Sequence, residues 1–527
     1  MTDLTATWAL VRAILRRDRF RIVLWTAALA GLVVLTAASV KGLFPTQADL
    51  DEAAAQEAGS PASIVFNGPV QGLDTLGGQV AFQLGSFGLV VVGLMSLLMT
   101  TRNTRAEEES GRLELVRATV VGRHAPSTAA LLVVGLMNVL VGAVVALGLI
   151  GYDLPTTGSV VFGASFTVLG LMFAGVALVA AQITENNRVA GGISGAVLGL
   201  AFTLRAAGDV GDGTLSWFSP IGLVQKARPY AGERWWPLLL GLVLAGGLVV
   251  AAGVLAAHRD IGAGLVPSRP GPPEADRRLS GPFGLALRLQ RGSLLAWATG
   301  VFLLGAAYGS VAKDIEEYVR DNQQLQDWIA RTGGASLLDS YYATTLLTLS
   351  LIVAGFGLQA ALRLRAEETA DRLEPVLATP VSRWRWMASH LTMSVAGSMA
   401  VLAAGGLGTG LMVALVTDDI GQVPRLLAAS LAYAPAVWVL VGIAVTLYGL
   451  APRIALAAWA TLAFCFVVGM LGPLLDLPAW LVDVSPFQRI PEVPAADLRL
   501  APLAVLTALA AGLTWAGVAG FRHRDVG

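Results

Sequence analysis

The chain has 527 residues, 55% of them hydrophobic and only 14% charged, with zero net charge and a mean hydropathy of +0.67. Soluble domains carry about 25% charged residues, so this composition cannot cover a water-facing surface, and its long apolar runs read as membrane spans. The single Cys465 lies in an apolar run, which excludes an intrachain disulfide and a cysteine-based metal site.

Residues 5–19 alternate Trp8, Leu10, Val11, Ile14 and Leu15 with Arg12, Arg16, Arg17 and Arg19, the pattern of a basic amphipathic helix lying in a membrane interface. The apolar run over 20–40 is the first span; it is too long for the core of a cleaved leader. An acidic stretch over 41–80 follows, with a capping box expected from Thr46 to Asp49. Spans are then predicted near 80–101, 127–150 and 159–181. A tight loop, Thr184-Glu-Asn-Asn-Arg188, leads to a short fifth span ending near Leu204. The Gly, Pro and Trp content of 208–236, with Trp217-Phe-Ser-Pro220 and Arg234-Trp-Trp-Pro237, suits a partly re-entrant segment in an aromatic belt. The sixth span ends at His258.

Residues 259–290 read as a linker, with Pro267, Pro270, Pro272, Pro273, Arg277 and Arg278. The pattern then restarts: Leu287-Arg288-Leu-Gln-Arg291 followed by Trp297 echoes Leu15-Arg16-Arg-Asp-Arg19 followed by Trp25. A polar outer helix is expected over 314–331. Spans near 342–361, 389–416, 425–450, 454–472 and 500–521 complete a second set of six. The expected fold is an all-α integral membrane protein of about twelve transmembrane helices. It is arranged as two parallel six-helix repeats, 1–258 and 291–527, joined by the linker and connecting helix of 259–290.

A charged segment occurs twice, as Arg105-Ala-Glu-Glu-Glu-Ser-Gly-Arg-Leu-Glu-Leu-Val-Arg-Ala-Thr-Val-Val-Gly-Arg123 and as Arg365-Ala-Glu-Glu-Thr-Ala-Asp-Arg-Leu-Glu-Pro-Val-Leu-Ala-Thr-Pro-Val-Ser-Arg383. As one helix, each copy pairs an acid with an arginine four residues on, Glu108 with Arg112 and Glu368 with Arg372. Glu107 and Glu114 would share a face, as would Glu367, Asp371 and Glu374, and Leu113 with Val116 or Leu373 with Val376 would supply an apolar edge. Such a helix is either a docking element for a soluble partner or a self-paired interfacial helix; its duplication at matching positions favours docking, with the acids exposed to water beforehand. Placing the N-terminus inside puts both copies, the basic N-terminus and Arg522 and Arg524 in the cytoplasm, as the positive-inside rule requires. Both termini are then cytoplasmic.

None of Lys41, Lys226 and Lys313 stands in a G-x-x-x-x-G-K-[ST] phosphate loop, and no metal, protease or hydrolase motif occurs. The span interiors are expected to lack ionisable residues, which counts against a proton-coupled carrier. The second and eighth spans carry Phe82, Gln83, Ser86, Phe87 and Ser96, and Tyr342, Thr345, Thr348, Phe356 and Gln359. These could line a pathway or simply pack helices.

The two charged copies, Ser219-Pro220, Arg234-Trp-Trp-Pro237 and Ser485-Pro486 make the whole chain resemble the permease subunit of type-2 ATP-binding-cassette exporters. It is similar to the fused, double-length permeases of actinobacterial polyketide-antibiotic (tetronasin-type) efflux systems. The resemblance implies an amphipathic connecting helix before the first span, coupling helices after the second and eighth, and minor coupling loops at Arg188 and Arg453. It also implies two copies of a separate ATPase subunit that bind ATP and Mg, a hydrophobic or amphiphilic substrate, and a place in the bacterial inner membrane. Nucleic acid has no role in it. The alternative is a twelve-span secondary facilitator. The copies differ where Asp371 replaces Gly111 and where Pro375 and Pro380 replace Leu115 and Val120, so the halves need not couple equally.

Overall fold

The structure is a computed structural model that describes residues 3–58, 61–260, 262–267, 274, 279, 281–313, 337–471 and 478–524. Among the described residues it is helical, with no strand, and twelve helices or helix runs are long and apolar enough to cross a membrane. The protein is an all-α integral membrane protein. Its chain divides into two compact units, Met1–Gly271 and Pro272–Gly527. Pro270, Pro272, Pro273, Arg277 and Arg278 of the expected linker, and the expected outer helix over 314–331, lie outside the described residues.

In the first unit α1 spans Thr7–Leu43, α4 Leu76–Asn103, α7 Ala125–Ile150, α8 Thr156–Ile183, α9 Asn187–Val210 and α11 Trp236–Ala257. The shorter α2 (Gln47–Ala58), α3 (Pro61–Asn67), α5 (Arg105–Glu109), α6 (Arg112–Arg117) and α10 (Pro220–Gln225) join them. The second unit has α12 (Pro282–Ser310), α13 (Leu337–Ala361), α14 (Arg363–Thr369), α15 (Leu373–Leu377), α16 (Arg383–Thr417), α17 (Gln422–Leu431), α18 (Ala434–Leu450), α19 (Ala458–Leu471), α20 (Ala479–Val482) and α21 (Leu500–His523).

Local chemistry sets many of the helix starts. Thr75 accepts from Gly78 N at 3.0 Å, and Asn186 accepts from Arg188 N and Val189 N. Ser219 accepts from Gly222 N with Pro220 at the first helical position, and Ser382 accepts from Arg385 N. The capping box forms as expected, with Asp49 N donating to Thr46 Oγ1 at 3.3 Å and Thr46 N to Asp49 Oδ2 at 2.9 Å. Ser485-Pro486, by contrast, leads into turns rather than a helix like α10.

Each unit follows one neighbour scheme. The second spanning helix packs against the first, third, fourth and fifth, and the fourth also packs against the third and sixth. Lipid gives helices no hydrophobic reason to associate, so close approach at small residues has to supply contact. A Cβ on Gly163 of α8 would lie 2.2 Å from Gly142 O of α7, and one on Gly449 of α18 would lie 1.9 Å from Gly517 O of α21. Only hydrogen fits at these crossings.

Three expectations need correction here. The amphipathic segment and the first span are one continuous helix, α1, because nothing between Leu15 and Trp25 breaks it. The fifth helix does not stop near Leu204 but runs to Val210. It can do so because fully buried Arg205 donates to the last carbonyls of α3, Ile64 O at 3.1 Å and Val65 O at 2.8 Å, and stands 3.7 Å from Asp209. Nor are the spanning helices free of ionisable residues: Arg205 and Asp209 lie in α9, Asp18 in α1 and His390 in α16, all buried. Each has polar neighbours that offset part of its desolvation; His390 Nδ1, for example, is 3.3 Å from Gln290 Nε2.

Candidate functional site

The charged segment is not one helix in either unit. In the first, α5 ends at Glu109 and is capped by Ser110, Gly111 takes a left-handed backbone with φ of 72°, and α6 begins at Arg112. In the second, α14 ends at Thr369 and is capped by Ala370, Asp371 has φ of 54°, and α15 follows. The break falls at the same repeat position in both copies, so Pro375 and Pro380 come after it. Pro375 sits in the first turn of α15, where its missing N–H has no helical partner to lose.

The break rearranges the expected pairs. Glu108 does not meet Arg112, nor Glu368 Arg372. Arg112 instead lies 3.8 Å from Glu107, and Arg372 3.7 Å from Glu367. Because a turn intervenes, Glu107 and Glu114 share no helical face, nor do Glu367, Asp371 and Glu374. Exposure follows the same division. Glu114 and Glu374 are open to solvent, but Glu107 is paired with Arg17 at 2.7 Å, and Glu367 is nearly buried against Arg363 at 2.6 Å. The expectation of uniformly water-exposed acids therefore holds for Glu114, Asp371 and Glu374 but not for Glu107, Glu108, Glu367 and Glu368.

One end of the first unit gathers around this segment. From α1, Arg17 donates to Glu107 and to Asn103, and Asp18 accepts from Arg21 at 2.8 Å with Arg102 Nε 3.5 Å away. Glu109 accepts from Asn187 N at 2.9 Å, tying α5 to the start of α9 beside exposed Arg188. Arg105, fully buried, bonds Glu108 and donates to Gly262 O at 2.8 Å and Ala263 O at 3.2 Å. Between α1 and α6 opens a groove of about 180 Å³, lined by Leu10, Ile14, Arg17, Glu107, Leu113 and Val116. Leu113 and Val116 thus form an apolar edge, while Leu373 at the matching place is buried. Arg453, like Arg188, is exposed. The arrangement can present a charged, apolar-edged knob to another molecule.

The residues named for a pathway scatter. Phe82 lines a small cavity of about 40 Å³ in the first unit with Asn67, Phe162, Ser165 and Gln225. Gln83 is half-buried nearby. Ser86 donates to Asn67 O at 2.5 Å and accepts from Gln225 Nε2 at 3.0 Å, pinning α10 and α3 onto α4. Phe87 is exposed on the face of its unit. Ser96 donates to Asn138 Oδ1 at 2.9 Å and joins α4 to α7 as packing.

In the second unit Tyr342, Thr345 and Phe356 are buried in the core. Phe356 meets Trp297 edge to face at 6.2 Å, and a Cβ on Gly397 would stand 2.9 Å from its ring. Thr348 donates to Thr344 O at 2.9 Å, and Gln359 donates to Ser293 Oγ at 3.0 Å. Sequence reasoning missed Arg259 and Arg524, which clamp Glu108 and Glu368. The sequence marks Arg524 only as one of the positive-inside charges and Arg259 only as the first residue of the linker.

Comparison with known proteins adds the family. Residues 279–522 match the family described as "Multidrug efflux system permease Rv1217c, C-terminal domain". The chain is also similar to the multidrug efflux system permease protein Rv1217c of Mycobacterium tuberculosis, with 42% identity over 525 residues, covering 99% of this chain and 95% of that protein. The chain belongs to this family of multidrug efflux permeases.

Proposed function

We propose that this efflux permease is the membrane subunit of a type-2 ATP-binding-cassette exporter of the tetronasin-type polyketide-antibiotic group. It moves hydrophobic or amphiphilic compounds (antibiotics, drugs, polyketides or lipids) out through the bacterial inner membrane with both termini in the cytoplasm. ATP and Mg are held by two copies of a separate ATPase subunit. One observation carries this reading: the same two-part charged element, α5–α6 and α14–α15, is built at the end of the second spanning helix of each unit, with Glu114 and Glu374 turned to solvent. A docking surface of this kind suits a symmetric soluble motor, and exposed Arg188, in the first turn of α9, and exposed Arg453, in the 3-10 turn before α19, would flank it.

Substrate would meet the surfaces carrying Phe82, Gln83 and Phe87, where aromatic and amide groups fit a lipophilic compound with a few hydrogen-bonding groups. The test is co-purification of the ATPase with tagged chain bearing Glu114→Lys or Glu374→Lys, alongside drug-stimulated hydrolysis. Loss of either in one variant is expected, because an interfacial charge that loses its partner weakens binding. Full assembly and full stimulation in both variants would remove the docking role.

A proton-driven facilitator is the second reading, favoured by the buried Arg205–Asp209 pair and by His390. Proteoliposomes separate the two. Ethidium transport that needs ATP and the ATPase supports the exporter, and transport driven by an imposed proton gradient alone supports the facilitator.

A further inference from the structure

Glu108 and Glu368 stand at the same place in the repeated segment, and each is gripped by an arginine that directly follows the last spanning helix of its own unit. Past the end of α11, Arg259 turns back and donates through Nη2 to Glu108 Oε1 at 2.8 Å and through Nη1 to Oε2 at 3.0 Å. Its Nε donates to Gln182 Oε1 at 2.7 Å, and Nη1 also reaches Ala263 O at 2.8 Å. Both side chains are nearly buried, at 8% and 11% exposed. In the other unit Arg524, immediately after α21, donates through Nη2 to both oxygens of Glu368 at 2.7 Å. The Arg524 guanidinium lies 5.1 Å from the Tyr448 ring, and its carbonyl accepts from Arg383 at 2.6 Å.

The same ion pair is therefore built twice on different supports. Gln182 near the end of α8 steadies one, and Tyr448 near the end of α18 steadies the other. The Arg259–Glu108 contact is forked, two nitrogens on two oxygens, and so fixes direction as well as distance, whereas Arg524 spans both oxygens of Glu368 with Nη2 alone. A largely buried pair adds little stability over an apolar contact of the same volume, but it does hold two elements in one geometry. Glu108, bonded by both Arg105 and Arg259, has both oxygens engaged within its own unit.

We propose that Arg259 and Arg524 are positioning residues for energy coupling. Each locks its coupling element, through Glu108 or Glu368, to the end of the sixth spanning helix of its own unit. A displacement imposed on α5 or α14 then carries α11 or α21 with it. The inference rests on the reading of these elements as the ATPase dock, and it assigns Glu108 and Glu368 to the strut rather than to the docking face.

The experiment uses the full chain with its co-purifying ATPase in proteoliposomes. It measures ethidium transported per ATP hydrolysed, together with the thermal midpoint of each variant. Arg259→Gln and Glu108→Gln, and separately Arg524→Gln and Glu368→Gln, should still bind the ATPase but lose about fivefold or more in that ratio, the low end of coupling between distant sites. The exchanged pair Glu368→Arg with Arg524→Glu should recover most of it, whereas at Glu108 buried Arg105 would face a second arginine, so the first pair is tested by the single variants. Arg259→Lys, which keeps the charge without the fork, serves where a neutral variant fails to fold and should fall in between.

Unchanged ratios in the single variants, with or without a lower melting point, would overturn the proposal, as would an exchanged Glu368–Arg524 pair no better than its singles. If the wild-type chain shows no ethidium-stimulated hydrolysis with the ATPase present, the docking reading fails first and this inference falls with it. Wild-type stimulation with unaltered variants defeats this inference alone.

Discussion

Gly111 and Asp371 occupy the same position in the repeated segment and share a left-handed backbone, with φ of 72° and 54°. The substitution between copies is conservative in the one respect that matters there, since aspartate is among the few L-residues that visit this region. A Cβ on Gly111 would meet nothing within 4 Å, so any cost of adding one is backbone strain alone. Gly111→Ala should lower stability by about 1–2 kcal/mol, Gly111→Asp by less, and Asp371→Gly should be neutral or stabilising. Thermal melting of the purified chain in detergent checks the order.

Two phenylalanines, one in the second spanning helix of each unit, should respond in opposite ways. Phe356 is 1% exposed and packed on Trp297, so Phe356→Ala should cost about 3–5 kcal/mol and reduce the amount of folded protein. Phe87 is 58% exposed, so Phe87→Ala should change stability by no more than about 0.5 kcal/mol. A panel of exported compounds, scored against protein level, should then show a changed spectrum for Phe87→Ala only.

Arg205 and Asp209 form a buried pair that also holds α3 in place. Arg205→Met strands the Asp209 carboxylate, which retains the Ser216 hydroxyl at 2.6 Å, and should destabilise by about 3–5 kcal/mol. Adding Asp209→Asn should return part of that loss by removing the uncompensated charge. A double-mutant cycle on melting midpoints measures the coupling. Full additivity would mean that the two side chains act independently.

Tyr230 gives a pH signature. Its ring sits where Gly77 and Gly158 leave room, its hydroxyl is 2.9 Å from Ser159 Oγ, and burial pushes its phenol up to about 12. The folded value lies above the unfolded one of 10.0, so this group's contribution is complete below pH 10.0 and is lost as the pH rises through about 12. Alkaline unfolding of wild type should therefore be steeper in that window than that of Tyr230→Phe, and the variant should lack one late-titrating phenol in an ultraviolet titration.

The spanning helices were legible in the sequence because a membrane demands long apolar runs, and the end of the fifth moved because a side chain satisfied extra backbone. Arg205 is the example: hydropathy stops the helix before a charge, while the carbonyls of Ile64 and Val65 let it continue. The break in the charged segment was signalled by Ser110-Gly111 but concealed by Asp371 and by acid–arginine spacing that suits an unbroken helix. Arg259 and Arg524 were not legible as partners, since they lie 151 and 156 residues from Glu108 and Glu368, and no periodicity links such distances. Exposed Phe87 and buried Phe356 carry the same side chain, and only packing tells them apart.

The unbroken α1 imposes a rotational constraint on the N-terminus. Its buried stripe runs through Val11, Asp18, Thr26, Leu29, Val33, Ala37 and Val40, so the basic turns and the apolar turns share one phase. At about 1.5 Å and 100° per residue, one residue inserted between Arg19 and Phe20 would swing Arg17 away from Glu107 without altering any side chain. An insertion of two full turns would bring the stripe back into line but move Arg17 too far along the axis. The spacing between the arginines and the membrane-embedded stripe therefore tolerates almost any substitution better than a change of length.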